Sequence, residues 1–187
     1  ASKLTQKQSK TVNSFDDVTI GLGEIALTNT ANTSVFSGDR QFLVWGHNNA
    51  NLNTSGITTT ANLGGLTTNF IAGNRKYRIV ESNGDVGETI VSIPKTSLNV
   101  FTKSANQEYV LIVSSGPNFA SNEIIDIIPL TENASNYETW YDFEAISYFS
   151  FGIANPFENK YRVNNQAGDY FVGERNTNLA SSFTVSS

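Results

Sequence analysis

Three groupings of side chains in this sequence have types and spacings that could do chemistry. In "YETWYDF" (Tyr137–Phe143), strand alternation puts Glu138, Trp140 and Asp142 on one face and Tyr137, Tyr141 and Phe143 on the other. A tryptophan flanked by carboxylates builds a sugar platform, the indole stacking on the ring while the acids accept hydroxyl hydrogen bonds. In "ESNGDVGE", Glu81, Asn83 and Asp85 offer oxygen atoms at alternate positions, the ligand type that calcium takes. His47, the one histidine, carries the only side chain whose unperturbed pKa lies near neutrality, so it is the natural acid–base candidate.

Each grouping also has a structural explanation, and in each case that is the stronger expectation. Large aromatics usually fill cores, so Trp140 is expected first as a cross-strand cap or an inter-sheet contact and second as a ligand platform. The acidic loop lacks the spaced ligand set and terminal bidentate Glu of an EF-hand, whereas Asn83-Gly84 between two β-prone runs is a strong hairpin signal, so a plain turn is expected there. His47 has no G-x-S-x-G serine to serve, and with no cysteine a zinc site would have to be completed by carboxylates. It is expected to end the strand "QFLVWG". Asp16, Asp17, Asp39, Glu81, Asp126, Glu138, Asp142 and Glu144 could pair as glycosidase acids, but that chemistry depends on a spatial separation and no motif singles out a pair. No catalytic residue is assigned, and calcium is the one cofactor with candidate ligands.

The elements that must position these residues are short and β-prone, with turn signals between them. Strands are expected at Asp17–Leu22, Glu24–Thr28, Gln41–Gly46, Lys76–Ser82, Glu88–Ile93, Glu108–Ser115, Ile124–Leu130, Tyr137–Phe143 and Ser147–Gly152, then at Lys160–Val163, Gly168–Gly173 and Ser182–Val185. "YVLIV" (Tyr109–Val113) is apolar on both alternating faces, as a strand at the centre of a two-layer packing should be. Pro129 removes a ladder donor and marks an edge or a strand end. The Thr-rich stretch Gly56–Phe70 has no fixed repeat and is not expected to form an ordered threonine array. Nothing sustains a long helical period. The expected fold is an all-β, antiparallel β-sandwich, jelly-roll or Ig-like, over 1–152, with 153–187 a C-terminal β extension of the same sandwich or the start of a next element.

Composition narrows the partners. The 187 residues suffice for one well-formed core. The net charge of −5 argues against nucleic acid, which needs clustered cations. Asn, Ser and Thr, at 23, 20 and 19 residues, replace charged side chains and suit turns and pleated surfaces. Sequons at Asn32, Asn53 and Asn133 are expected by chance in such a chain. The longest apolar run, Tyr109–Val113, falls far short of the ~20 residues that span a bilayer, so no membrane insertion of this segment is expected. With no methionine and Ala1 first, the sequence is expected to be a processed product or an excerpt of something longer.

The segments "LTQKQSKTVNSFDDVTIGLG", "FSGDRQFLVWGHNNANL", "RKYRIVESNGDVGETIVSIP", "YVLIVSS" and "YDFEAISYFSFG" resemble, in order and spacing, a β-rich module of large secreted and cell-surface Bacteroidota proteins, often found after a laminin-G/concanavalin-like domain. The resemblance covers about residues 3–152. It implies an extracellular, adhesin-like or polysaccharide-associated parent and a non-catalytic module, with "FLVWG" and "YFSFG" as core and turn positions. The expected function is adhesion or ligand binding, with polysaccharide the leading ligand. The alternative is a structural spacer or self-assembling fibre subunit that pairs through β-strand edges with neighbouring domains or copies.

Overall fold

The structure is a computed structural model that describes residues 6–11, 18–155, 160–164 and 170–174. The chain forms two compact units, Ala1–Pro156 and Phe157–Ser187. The first is an antiparallel β-sandwich with one helical turn, and it carries every candidate site residue.

One layer has the strand order β1 (Gln8–Lys10), β2 (Thr19–Leu22), β7 (Thr89–Pro94), β11 (Asn136–Tyr141), β10 (Thr131–Glu132). The other is built around β12 (Ile146–Ala154), which pairs along one flank with β8 (Glu108–Ser114), itself paired to β9 (Ile124–Pro129). Along its other flank β12 meets β6 (Tyr77–Ser82) and then β5 (Leu66–Gly73). β3 (Phe42–His47) borders β6, and β4 (Thr54–Leu63) borders β5. The turn α1 (Lys95–Leu98) follows β7. In the second unit, β13 (Lys160–Asn164) and β14 (Tyr170–Glu174) form an antiparallel pair.

The core lies between the two layers. Ile20, Val91 and Ile93 of the first meet Tyr77, Ile79, Leu111, Val113, Phe149, Phe151 and Ile153 of the second. Tyr77 and Phe149 stack at its centre, ring centroids 4.5 Å apart and nearly parallel at 5°. β8 is buried on both faces for a reason particular to this fold. β4 curls round to lie against β9, so the opposite face, with Phe70, Ala72, Val110, Ile112 and Ile127, is enclosed in a second small core. Gly152 sits where β5 and β8 converge on β12: a Cβ there would lie 2.3 Å from the Ile71 carbonyl oxygen and 2.8 Å from Ile112 Cδ1.

Several expectations need correction. The stretch Glu24–Thr28 is not a strand; it folds back onto the outer face of β2, where Gly21 leaves room for Glu24 and Ile25. Asn83 and Gly84 do take positive φ, at 62° and 114°. They do not close a hairpin, because β6 and β7 belong to opposite layers and the turn carries the chain between them. The Thr-rich stretch is a hairpin, β4–β5, turning at Gly64-Gly65 with φ of 60° and 81°. Gly-Gly between two β-prone runs was the overlooked signal. β12 continues through Ile153 and Ala154, past the expected break after 152. The expected strand Ser182–Val185 lies outside the described residues.

Candidate functional site

The structure disperses the three residues of the expected sugar platform. In β11, Thr139 is buried and Tyr137 and Tyr141 pack against the core, so Glu138 and Trp140 point outward as alternation requires. Trp140 is 50% exposed, opposite Ile90 of β7. Ile90 in turn is opposite Gly21, over which Ile25 folds, so an apolar strip runs from Trp140 across the outer face of this layer. Glu138 does not open onto that strip. Ser92 Oγ donates to its Oε1 at 3.0 Å and Asn133 Nδ2 donates to its Oε2 at 3.1 Å, which ties both oxygens to the β10–β11 turn and to β7. Asp142 lies one residue past the end of β11 and turns to the end of the sandwich.

There it meets two of the three expected calcium ligands. Carboxylate oxygens of Glu81, Asp85 and Asp142 all lie within 4.8 Å of one another. Glu81 ends the inward face of β6, and its Oε1 accepts the Val86 N–H. Asp85 Oδ1 accepts the Gly87 N–H at 2.6 Å, and the Asp85 carbonyl accepts Gln41 Nε2 at 2.8 Å. Asn83 is turned away, its Nδ2 donating to the Arg40 carbonyl at 3.0 Å. Partial burial, and then the negative charges of Asp85, Glu81, Glu144 and Glu88, hold the Asp142 carboxyl above the usual range. Among the described residues these three carboxylates form the group that could hold a divalent cation. Asp142 joins it from just past the end of β11, 57 residues beyond Asp85, which no local motif could signal.

His47 is the last residue of β3. Its ring stands edge-on to Tyr77, centroids 5.9 Å apart, and Nδ1 accepts the Asn49 N–H at 3.0 Å. Beside it a cleft of about 480 Å³ runs between β1 and β3, lined by residues 6–11 and 41–47 with Ile20 and Leu22 behind them and Phe36, Val86 and Thr89 completing the wall. Trp45 spans the gap, its Nε1 donating to Ser9 Oγ at 2.6 Å, and packs inward on Tyr77 and Phe149. The ionisable lining residues are Lys7, Lys10 and His47. Among the described residues no carboxylate lines the cleft, so His47 has no acid there to complete a proton relay. No local signal marks the cleft, since Gln8–Lys10 is a short polar run with no strand pattern of its own.

Residues 1–147 match the family model described as "Domain of unknown function (DUF8202)". The chain belongs to that family. No curated protein and no solved structure matches it. The DUF8202 match takes in β1 to β11, all three candidate groupings and the cleft, and it ends two residues into β12, whose remaining strand residues complete the sandwich.

Proposed function

We propose that this DUF8202 domain is a non-catalytic binding module of a secreted or surface-anchored bacterial protein, and that its ligand is a polysaccharide. The observation that carries this reading is Trp140. A side chain as large as an indole stabilises a fold by about 2–3 kcal/mol when fully buried, yet here half of it faces water at the end of an apolar strip. That geometry suits stacking on the flat face of a sugar ring, which needs an exposed indole on a rigid strand. Glu138, held by Ser92 and Asn133, fixes the strand end beside it.

Affinity electrophoresis through gels containing neutral and acidic polysaccharides tests the reading, with Trp140→Ala as the partner sample. Retention of the native chain by one polymer and its loss in Trp140→Ala, with an unchanged melting temperature, is the expected result. Free migration through every polymer, or equal retention of the variant, would overturn it.

A further inference from the structure

The apolar strip that begins at Trp140 is closed at its far end. Trp140, Ile90, Gly21 and Gln8 lie side by side in register across β11, β7, β2 and β1. Gly21 has no side chain, and the chain folds back directly on top of it: a Cβ there would lie 2.2 Å from the Glu24 carbonyl oxygen and 2.9 Å from Ile25 Cγ1. The segment Glu24–Ala26 therefore stands on the outer face as a barrier beside Ile90, and it is fastened from several sides. Gln8 Nε2 donates to the Ala26 carbonyl at 2.9 Å while Gln8 Oε1 accepts the Ala26 N–H at 3.0 Å. Asn32, fully buried, donates from Nδ2 to the Leu22 and Glu24 carbonyls at 3.1 and 2.8 Å. Thr33 donates both its N–H and its hydroxyl to the Glu24 carboxylate.

The near end has no such barrier. Among the described residues β10 pairs with β11 at Tyr137 and Glu138 alone, so no strand flanks the half-exposed indole on that side. From β11 to β2 is two strand spacings, roughly 10 Å, the length of about two sugar rings. Charge narrows the occupant further. Glu138, two residues from Trp140 on the same face, is bonded to the neutral donors Ser92 and Asn133, and the chain as a whole carries −5, so an acidic glycan is repelled.

We propose that this strip holds the end of a neutral glycan chain, the terminal ring on Ile90 against the Glu24–Ala26 barrier, the next ring stacked on Trp140 and the rest of the chain leaving past the indole. The proposal rests on the polysaccharide reading and narrows it from the polymer to its terminus. A strip open at both ends would accept any internal run of sugars. Here an internal run would have to pass through main chain that Gln8 and Asn32 hold in place, whereas a terminus can abut it. Two rings fill the strip, so sugars beyond the second find no further contact on it.

Competition in the affinity gel tests it. The native chain is retained by a neutral polysaccharide, and fragments of that polymer two, four and six sugars long are added as competitors. All three lengths are expected to displace it equally per mole, because each carries one fitting end. Ile90→Thr, which keeps a β-branched strand residue and removes apolar contact, should bind the disaccharide roughly fourfold more weakly, the worth of one buried methylene, with its melting temperature kept. Displacement that climbs steeply from two to six sugars, Trp140-dependent retention by acidic polymers alone, or native strength in Ile90→Thr would each overturn the chain-end assignment and leave the polysaccharide reading standing. Free migration of the native chain through every polymer would overturn both.

Discussion

Replacing Asp142 by Asn should stabilise the sandwich at neutral pH. The oxygens of Asp142, Glu81 and Asp85 lie within 4.8 Å of one another, and two unit charges at that distance repel by about 0.9 kcal/mol in water. The dielectric of water applies because Asp142 and Asp85 are exposed. Two such pairs amount to about 1.7 kcal/mol, which screening over a Debye length of about 8 Å cuts to about 1 kcal/mol at physiological salt. In a domain of this size that is a rise of about 2–4 °C in Tm. The pH dependence has a definite sign. The Asp142 carboxyl is held above its ordinary value in the fold, so the native state binds more protons than the unfolded state in the window just above the ordinary Asp range. Native stability therefore falls as pH rises through that window, and Asp142→Asn should flatten the fall. Thermal denaturation across pH 4–8, at low and at physiological salt, measures both effects, and the variant's advantage should shrink with salt. Millimolar calcium should act on the same charges and raise the native Tm more than the variant's. A variant equal to or less stable than the native chain at low salt would refute the claim that these carboxylates repel.

Other substitutions probe the parts that hold the sites in place. Gly152→Ala should cost about 3 kcal/mol or abolish folding, since the added Cβ would strike the Ile71 backbone oxygen rather than a movable side-chain tip, and chemical denaturation would show it. A double-mutant cycle of Trp45→Phe and Ser9→Ala should give a coupling of about 1 kcal/mol for the bond that ties β1 to β3, and additive losses would rule that bond out as a stabilising link. Burial lowers Lys76 to about 8, against the opposing pull of the Phe119 ring face 3.8 Å from its Nζ. The unfolded chain then binds more protons between about 8 and 10.5, so stability should rise with pH over that window by an amount that Lys76→Met removes, as read from the native-minus-variant difference in urea midpoints.

Alternation was the strongest guide the sequence offered, because it is a property of the strand itself. It assigned Trp140 and Glu138 to one face and Tyr137 and Tyr141 to the other, marked Tyr109–Val113 for burial on both sides, and set His47 at a strand end, all from residues within a few positions of one another. It did not say what lay across from each face. That Glu138 is held by Ser92, that Asn83-Gly84 joins two layers rather than two neighbours, and that Asp142 joins Glu81 and Asp85 while Asn83 turns away depend on pairings between segments tens of residues apart. Local propensity is silent about such pairings, since they are selected by burial of the whole core. The cleft and the barrier over Gly21 belong to the same class. The sequence alone determined that Trp140 would share a face with Glu138. Only the tertiary structure set Ile90 beside the indole and folded Ile25 over Gly21, because strand pairing and the filling of a glycine's bare face are settled between segments that local pattern does not connect.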